Sequence, residues 1–402
     1  MTKQNAIIQN PPLPRNYPGE LLVIEKGEGV YLADISGKEY LDFGSGIAVN
    51  AFGYGREDLA ETAYEQMKKL IHSSNLYTTE PTIKLAKRLA ATGPFSAVHF
   101  GNSGTEANES AIKYARLYSM RKKGPGNHKI LCFENAFHGR TLGALSCTPN
   151  PAYQEPFKPL LPGVVVAPYN DADRLKTALD PTFCAVITEI IQGEGGLCSM
   201  TNEFADTLNS LCRQYEIMLI ADEIQTGLGR TGRMYASEAV GLEPDIITLA
   251  KPLAGGLPLS ATLIPEQINN RLNVGEHGST FGGGPVVTSV ALKVLDLIQE
   301  PDFLHGVRTA GRYLRKELSS LASEIAYAGE VRGEGLLLGL EIKTEKGKVS
   351  GFIKAIITAC RENGLLILKS GENVLRIAPP LIIKEQEIAE GISILYKVLK
   401  GF

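Results

Sequence analysis

Short apolar runs recur between residues 97 and 250, and stretches with helical spacing lie between them. A strand that is apolar on both faces is typical of a parallel sheet covered by helices. Intervening stretches such as TEANESAIKYARLYSMRKK and NEFADTLNSLCRQY have the periodicity of amphipathic helices. The alternation therefore predicts an α/β fold with a mostly parallel central sheet flanked by helices. The runs are AVHF (97–100), KILCF (129–133), GVVVAP (163–168), CAVITEI (184–190), IMLIADE (217–223) and DIITLA (245–250).

The length of the chain indicates more than one domain, because 402 residues exceed the usual size of a single core. The segment LLVIEKGEGVYLADISGKEYLDF near the N-terminus has the pattern of short strands joined by glycine-containing turns. After GGGP (282–285) the chain continues with a long helical pattern, VVTSVALKVLDLIQE, and then with the strand patterns GLLLGLEI and LLILKS. We therefore predict a large domain over 56–283 and a smaller α+β domain over 284–402. The segment 1–55 is expected to pack with the smaller domain.

The charge balance and the cysteines exclude several classes of protein. With 41 basic and 44 acidic residues, the net charge of −3 gives no electrostatic case for binding nucleic acid or an anionic membrane. The six cysteines are scattered without a CxxC pair, which favours dispersed thiols in a reducing compartment and no disulfides. No N-terminal apolar segment and no run of about 18 apolar residues is present. We expect a soluble, cytoplasmic protein, and we predict no metal site.

Two of the apolar runs are followed by charged side chains that could be catalytic. The run IMLIADE ends at Asp222 and Glu223, and Lys251 follows DIITLA directly. The carboxyl ends of parallel strands are where ligands bind in open α/β sheets. A desolvated lysine is a nucleophile able to form a Schiff base, and a buried carboxylate is stabilised by a cation such as a pyridinium nitrogen. Two alternatives remain: Lys251 is an ordinary residue at the sheet edge, or it forms a simple ion pair with Asp222.

The segment HFGNSGTEANES has the features of an anion site. It leads from a strand through Ser103, Gly104 and Thr105 into a helix. Small residues with free backbone amides at a helix N-terminus can hold a phosphate. A plain N-cap at Ser103 or Thr105 explains the same residues equally well.

Aromatic and guanidinium groups form a further candidate constellation. KILCFENAFHGRT places Phe137, His138 and Arg140 close together after a strand, and VLRIAPPL carries Arg376 within an apolar run. A ring face suits a flat aromatic cofactor, and guanidinium groups suit carboxylates. A structural histidine and surface or interface arginines are the alternatives.

The segment GLGRTG (227–232) fits the GxGxxG pattern of dinucleotide-binding proteins, but its context does not. That motif should follow a strand at once and open a helix, with an acidic residue about 20 positions later. Here the strand ends five residues earlier, at Asp222, and RMYASEAVG is a poor amphipathic helix. An NAD-dependent dehydrogenase is therefore the weaker alternative from another enzyme class. A catalytically inactive binding module is a third interpretation.

Taken together, the motifs resemble those of the class III pyridoxal-phosphate (PLP) aminotransferases, most closely the members that act on acetylornithine. The resemblance extends over nearly the whole chain. It implies a fold-type-I homodimer that uses PLP and takes an amino donor and 2-oxoglutarate as substrates. The segments that carry it are KGEGVYLADISGKEYLDFGSGIAVN, SNLYTTEP, NSGTEANE, NAFHGRT, IQGEGG, DEIQTGLGRTG, AKPLAGGLP, GSTFGG and LRIAPPL.

The resemblance also implies roles for individual residues. Lys251 would hold PLP covalently through its amine, and Asp222 would keep the ring nitrogen protonated. Phe137 and Ile224 would lie on the two ring faces, and Gln225 near the ring hydroxyl. The remaining cofactor positions would be Ser103, Gly104 and Thr105 at the phosphate, Ser279 and Thr280 from the partner subunit, and His138 and Glu189 in the supporting network.

For the substrates, the resemblance implies that Arg376 binds the α-carboxylate of the oxo acid and that Glu194 neutralises it when the other substrate is bound. Arg140 would bind the second carboxylate, and Tyr17 would contact substrate. The implied reaction is transamination of the terminal amine of N2-acetylornithine in arginine biosynthesis, giving the semialdehyde and glutamate. Gly46-Ile47 resembles enzymes that take acylated ornithine. Ornithine, 4-aminobutyrate and succinylated diamino acids remain alternative donors.

Overall fold

The computed structural model of the chain describes residues 6–17, 20–343 and 349–402. Strands and helices alternate through most of it. The strands are β1 (Ile7–Gln9), β2 (Glu20–Leu22), β3 (Ile24–Glu28), β4 (Tyr31–Asp34), β5 (Glu39–Asp42), β6 (Ala97–Gly101), β7 (Lys129–Phe133), β8 (Val164–Ala167), β9 (Phe183–Glu189), β10 (Ile191–Gln192), β11 (Cys198–Ser199), β12 (Met218–Asp222), β13 (Ile246–Leu249), β14 (Ser260–Ile264), β15 (Ala328–Glu334), β16 (Leu337–Ile342), β17 (Leu365–Leu366), β18 (Leu368–Ser370) and β19 (Val374–Ile377).

The helices surround these strands. They are α1 (Ser45–Ala48), α2 (Glu57–Lys69), α3 (Glu80–Ala90), α4 (Gly104–Lys123), α5 (Leu142–Ser146), α6 (Pro151–Gln154), α7 (Ala172–Ala178), α8 (Asn202–Tyr215), α9 (Ser237–Val240), α10 (Glu266–Asn269), α11 (Pro285–Ile298), α12 (Phe303–Glu324), α13 (Val349–Glu362) and α14 (Glu385–Lys400). Among the described residues, none of these helices is long and apolar enough to cross a membrane.

The central sheet has seven strands in the order β6-β14-β13-β12-β9-β7-β8. Every strand except β14 runs in the same direction. The predicted fold, a mostly parallel sheet flanked by helices, is therefore confirmed, and each of the six apolar runs contributes a strand. β14 lies outside those runs. It runs antiparallel because only ten residues (250–259) connect it to β13, and a parallel crossover needs about a dozen or more.

Alternating side chains of the sheet belong to two separate hydrophobic clusters. Ile130 and Cys132 of β7 pack with residues of α4 such as Ile112, whereas Leu131 and Phe133 pack in the larger cluster with Phe204 of α8. This division follows from the period of two in a strand. The central sheet is thus covered on both faces, which holds its strand ends in fixed positions.

α4 begins at a helix cap and ends at a glycine. The Ser103 hydroxyl accepts a hydrogen bond from the amide of Glu106 (3.4 Å), which is the N-cap interaction that the sequence allows. Gly124, at a φ of 88°, ends the helix with a conformation that other residues rarely adopt.

Besides two short two-stranded sheets, β1-β2 and β10-β11, the described residues form two further four-stranded sheets from the N-terminal and C-terminal parts of the chain. One is antiparallel, in the order β15-β16-β19-β18. The other has the order β17-β5-β4-β3, and its C-terminal strand β17 runs parallel to β5. The short strands predicted near the N-terminus thus pair with a strand from the C-terminal part of the chain.

Candidate active site

The parallel strands of the central sheet end at one edge, where their following loops enclose a cavity of about 590 Å³. β14 runs in the opposite direction, so the residues before it lie at the same edge. Side chains that are far apart in the sequence therefore meet there. The wall includes Ser103, Gly104, Thr105, Phe137, His138, Arg140, Glu189, Glu194, Asp222, Ile224, Gln225 and Lys251, all of which the sequence singled out.

Lys251 lies two positions after the last residue of β13, with a backbone φ of 37°. Positive φ is uncommon outside glycine and concentrates at functional sites. The side chain is half-buried, and none of the hydrogen bonds or ion pairs between described residues involves its Nζ. Burial, followed by the positive charge of Arg376, lowers the pKa of the Lys251 amine to about 8. An amine with this pKa is a far better nucleophile near neutral pH than an ordinary lysine.

Asp222 interacts with a histidine rather than with Lys251. Its Oδ2 is 2.7 Å from the Nδ1 of His138 and accepts a hydrogen bond from the Nδ2 of Asn108 (2.8 Å). Its Oδ1 accepts from the amide of Ile224 (3.1 Å). Burial alone would lower the pKa of His138, but the hydrogen bond to Asp222 and its charge raise it above the ordinary value. The raised pKa favours the protonated form of His138, whose charge compensates the buried carboxylate at the cavity wall.

The N-terminus of α4 provides an anion cradle at one side of the cavity. The first amides of a helix have no acceptor within the helix, so Gly104 and Thr105 can donate to a bound phosphate. Gly104 has no room for a side chain, because a Cβ there would lie 2.9 Å from two carbon atoms of Ile224. The hydroxyls of Thr105 and Thr141 are 2.8 Å apart beside it. The cradle and Ile224 thus fit closely together.

The residues present fit PLP. The Oε1 of Gln225 is buried and has no hydrogen-bond partner within the described part of the chain, so it is available to a ligand. Asp222 can face a pyridinium nitrogen, the α4 amides can hold a phosphate, and Lys251 offers an amine for a Schiff base. Glu189 accepts hydrogen bonds from the amides of Phe137 (2.9 Å) and Gly193 (3.0 Å). Burial raises the pKa of its carboxyl to about 7.

The two candidate substrate arginines have different surroundings. The guanidinium carbon of Arg140 lies 3.6 Å from the ring centre of Tyr153 and 5.5 Å from that of Phe137. Arg376 is buried, and its Nη1 donates to the Oε1 of Glu194 at 2.7 Å. The Nε of Arg376 has no partner among the described residues. Arg140 is exposed and packs against aromatic rings, whereas Arg376 is buried and paired with a carboxylate.

Four residues singled out by the sequence are not part of the cavity wall of this chain: Tyr17, Ser279, Thr280 and Arg376, although Arg376 contacts Glu194 of the wall. Tyr17 is exposed, and Thr280 lines a separate small crevice. Ser279 is nearer, because its Oγ is 3.4 Å from the Nδ2 of Asn102, which does line the cavity.

Some residues of the site were missed in the sequence. Asn108 supports Asp222 from α4, and Tyr153 stacks on Arg140. Asn108 had a signal, since it falls on the apolar face of α4 with Ile112 and Ala115, at the spacing i, i+4, i+7. Tyr153 had no comparable signal.

The chain was compared with protein families and with solved structures. The family model described as aminotransferase class-III matches residues 13–399. The chain belongs to the class III aminotransferases. As a member of this family it is a PLP-dependent aminotransferase, and the observed fold agrees.

Similar class III enzymes are known from several organisms. An acetylornithine/succinyldiaminopimelate aminotransferase from Yersinia pestis is 40% identical over 393 residues, covering 97% of this chain and 96% of that protein. A probable mitochondrial acetylornithine aminotransferase from Dictyostelium discoideum is 41% identical over 388 residues, covering 95% and 83%.

Solved aminotransferase structures superimpose closely. The ornithine aminotransferase from Toxoplasma gondii ME49 has a TM-score of 0.91 at 30% identity, covering 97% of this chain and 93% of that one. The N-acetylornithine aminotransferase from Stenotrophomonas maltophilia K279a has a TM-score of 0.83 at 32% identity, covering 96% and 97%.

Proposed function

We propose that this aminotransferase transfers the terminal amine of N2-acetylornithine to 2-oxoglutarate, giving the semialdehyde and glutamate. The observation that carries the proposal is the 2.7 Å ion pair between Arg376 and Glu194 at the cavity. A buried guanidinium suits the carboxylate of 2-oxoglutarate. The carboxylate of Glu194 can neutralise Arg376 when the amino donor is bound. This suits a donor that presents its terminal amine, and not its α-carboxylate, to Lys251.

The proposed roles of the residues follow from their positions. When bound, PLP supplies an electron-withdrawing ring that takes up the electron pair left when the C–H bond beside the amine breaks. Lys251 would hold the cofactor through its Nζ, and the same Nζ, when free, would remove the proton from that carbon. Asp222, supported by His138 and Asn108, would keep the ring nitrogen protonated. Ser103 and the α4 amides orient the phosphate.

The donor is inferred from the turn that closes one side of the cavity. Ser45–Ala48 (α1) forms a single turn in which Gly46 and Ile47 have φ values of 62° and 66°. A positive φ at a β-branched residue is strained, and such residues are concentrated at functional sites. The turn directs residues Gly46, Ile47 and Val49 to the cavity wall. An apolar wall of this kind favours an acylated amino acid over one with a free α-amine.

A panel of amine donors tests this proposal. N2-acetylornithine, a succinylated diamino acid, ornithine and 4-aminobutyrate are each supplied with 2-oxoglutarate, and glutamate formation or consumption of the oxo acid is followed. We expect kcat/KM for N2-acetylornithine to exceed that for ornithine at least about tenfold, because ornithine leaves its α-ammonium group against an apolar wall. A higher kcat/KM for ornithine or for 4-aminobutyrate contradicts the proposal.

A substitution at Arg376 tests the assignment of the oxo acid. Arg376→Ala is expected to slow the half-reaction with 2-oxoglutarate about 100-fold, because a charge-assisted contact is lost. Arg332→Ala is the matched control, since Arg332 lies in β15 of the same sheet and pairs with Glu341 (2.7 Å). Unchanged single-turnover rates with 2-oxoglutarate in Arg376→Ala would remove Arg376 from this role.

We also propose that the enzyme is a homodimer in which Ser279 and Thr280 complete the phosphate site of the partner subunit. The support is the position of these residues, on an exposed loop that does not bring Thr280 into the cavity of its own chain. Large apolar side chains beside this loop are also exposed, among them Phe281, Leu76 and Tyr77.

A further inference from the structure

A second cavity, of about 470 Å³, lies between α12 and the segment that contains GLGRTG. Its wall includes Thr231 and Arg233 from that segment and three arginines of α12. Glu334, the last residue of β15, and Gly335, in the turn that follows, complete this side. The GLGRTG motif does not follow a strand directly, because β12 ends at Asp222. It does not open a long helix either, because the next helix, α9, has four residues. The motif forms a turn next to α12 instead.

The charge in this cavity is strongly unbalanced. Its wall contains Arg233, Arg308, Arg312 and Arg315 but a single carboxylate, that of Glu334. Within the described ranges, none of these four arginines has an ion-pair partner within 4 Å. Clustered guanidinium groups repel one another, so such an arrangement favours a bound anion.

Hydrogen bonds to neutral oxygens fix several of these guanidinium groups. The Nη1 of Arg308 donates to the carbonyl of Gly232 (2.6 Å), and the Nη1 of Arg315 donates to the carbonyl of Val331 (2.9 Å). The Nη2 of Arg312 donates to the Thr309 hydroxyl (3.1 Å). These contacts orient the side chains but leave their charge uncompensated, which pre-organises them for an anionic ligand.

A buried hydroxyl in the same wall has no partner. Thr231 is 9% exposed, and its Oγ1 makes no hydrogen bond with any described residue. A buried hydroxyl without a partner is uncommon in folded proteins and is stabilised when a ligand accepts a hydrogen bond from it. The backbone around it has little freedom to move away, because a Cβ on Gly335 would lie 2.7 Å from the Cα of Thr231.

The cavity is separate from the PLP site although the two are close in the chain. Glu189 lines the active-site cavity, whereas the next two residues, Ile190 and Ile191, line this one. Met200 and Val240 add further apolar surface. An occupant should therefore combine an anionic head with a carbon-containing body, which inorganic phosphate lacks.

We propose that this cavity is a second ligand site that binds a small phosphate monoester. The tetrahedral dianion accepts hydrogen bonds from several directions, and here the guanidinium groups come from two separate elements, the GLGRTG segment and α12. The Thr231 hydroxyl donates a hydrogen bond to the same head group, and the apolar side chains contact the organic part. The proposal does not depend on which amine the enzyme transfers.

Calorimetric titration of the PLP-loaded enzyme with phenyl phosphate tests this site, because the cofactor already fills the phosphate cradle at α4. We expect saturable binding of one molecule per chain, tighter than that of inorganic phosphate.

R312E should weaken binding at least about tenfold, because an attractive charge becomes repulsive. T231V should weaken it severalfold and nearly preserve the side-chain shape. Lys316→Glu is the matched control, since this exposed residue of α12 undergoes the same change of charge outside the cavity wall.

The variants are compared only if their thermal unfolding and their transaminase activity without added phosphate match those of the parent enzyme. If R312E does not meet this condition, Arg233→Ala is used in its place. Weakening by R312E and T231V with unchanged binding in Lys316→Glu supports the site. Absence of saturable binding overturns the proposal, as does equal weakening by Lys316→Glu. Tighter binding of phthalate than of phenyl phosphate would also overturn it, because the site would then prefer a dicarboxylate.

Discussion

Asp222 shows how single residues determine the chemistry of this site. It accepts hydrogen bonds from Asn108, from the amide of Ile224 and from His138, and it still lies on the cavity wall. A buried carboxylate is stable only with such partners. The sequence predicted the placement of Asp222 at a strand end, but it could not show that His138 would be its cationic partner.

Replacing Asp222 with asparagine removes the charge and keeps the size of the side chain. We expect Asp222→Asn to lower kcat about 100-fold or more, because the ring nitrogen loses the anion that keeps it protonated. The control is Glu223→Gln. Glu223 is also buried, but its carboxylate accepts hydrogen bonds from Thr226 and from the amide of Ser237, away from the cavity. Steady-state kinetics checks both variants, and a kcat for Asp222→Asn within a few-fold of the parent value would contradict the role of Asp222.

The lowered pKa of Lys251 predicts how cofactor binding depends on pH. With a pKa of about 8, the free amine is protonated and unreactive at lower pH and becomes nucleophilic as the pH rises through 8. The rate at which cofactor-free enzyme takes up PLP should therefore increase with a midpoint near pH 8. Stopped-flow absorbance measures this rate. A midpoint near that of an ordinary lysine, about 10.4, would show that burial and Arg376 do not act on the amine as inferred.

At the scale of elements, α4 serves two parts of the site. Its N-terminus is the proposed phosphate cradle, and one turn later Asn108 donates a hydrogen bond to Asp222. Asn108 also donates to the carbonyl of His138 (2.7 Å) and accepts from the hydroxyl of Thr248 (2.9 Å). The helix therefore links the two ends of the cofactor site.

Truncation of Asn108 tests this link. Asn108→Ala should lower the free energy of unfolding by about 3 kcal/mol, because buried hydrogen bonds are lost and their partners remain unsatisfied. It should also lower kcat, because Asp222 is less firmly held. Met120→Ala, an exposed change on the same helix, should alter stability by no more than about 0.5 kcal/mol. Urea unfolding and kinetics measure the two effects, and a stable Asn108→Ala variant with full activity would contradict them.

The sequence predicted the elements better than their partners. The six apolar runs become strands, and this information is local. The inner strands β7, β9, β12 and β13 are buried almost throughout, whereas β6 and β8, at the two edges of the sheet, are partly exposed. The antiparallel direction of β14 depends on a short connection, and the contact between Asn108 and Asp222 joins residues 114 positions apart. Contacts over such distances are set by the packed fold, so local patterns do not reveal them.

For the whole molecule, the division into a large domain (56–283), a smaller one (284–402) and an N-terminal segment (1–55) stays a prediction. We propose that β17, which pairs with β5, ties the N-terminal segment to the smaller domain.

The apolar surface near the loop of Ser279 and Thr280 is expected to be the dimer interface. Leu76 is 88% exposed and Phe281 66% exposed, and Asn75 connects their segments by donating to the carbonyl of Ser279 (2.7 Å). A patch of this kind marks an interaction surface. Phe281→Asp combined with Leu76→Asp should therefore give monomers that bind PLP more weakly. Phe402→Asp is the control on another exposed aromatic residue. Light scattering measures the mass, and an undisturbed dimer in the double variant would place the interface elsewhere.

The central claim, that Lys251 holds the cofactor, is tested most directly by reducing the PLP-loaded enzyme with borohydride and locating the modified peptide by mass spectrometry. A phosphopyridoxyl group on Lys251, together with the loss of visible cofactor absorbance in Lys251→Ala, is the predicted result. The account is contradicted if the group is found on another lysine, or if Lys251→Ala remains yellow and reducible.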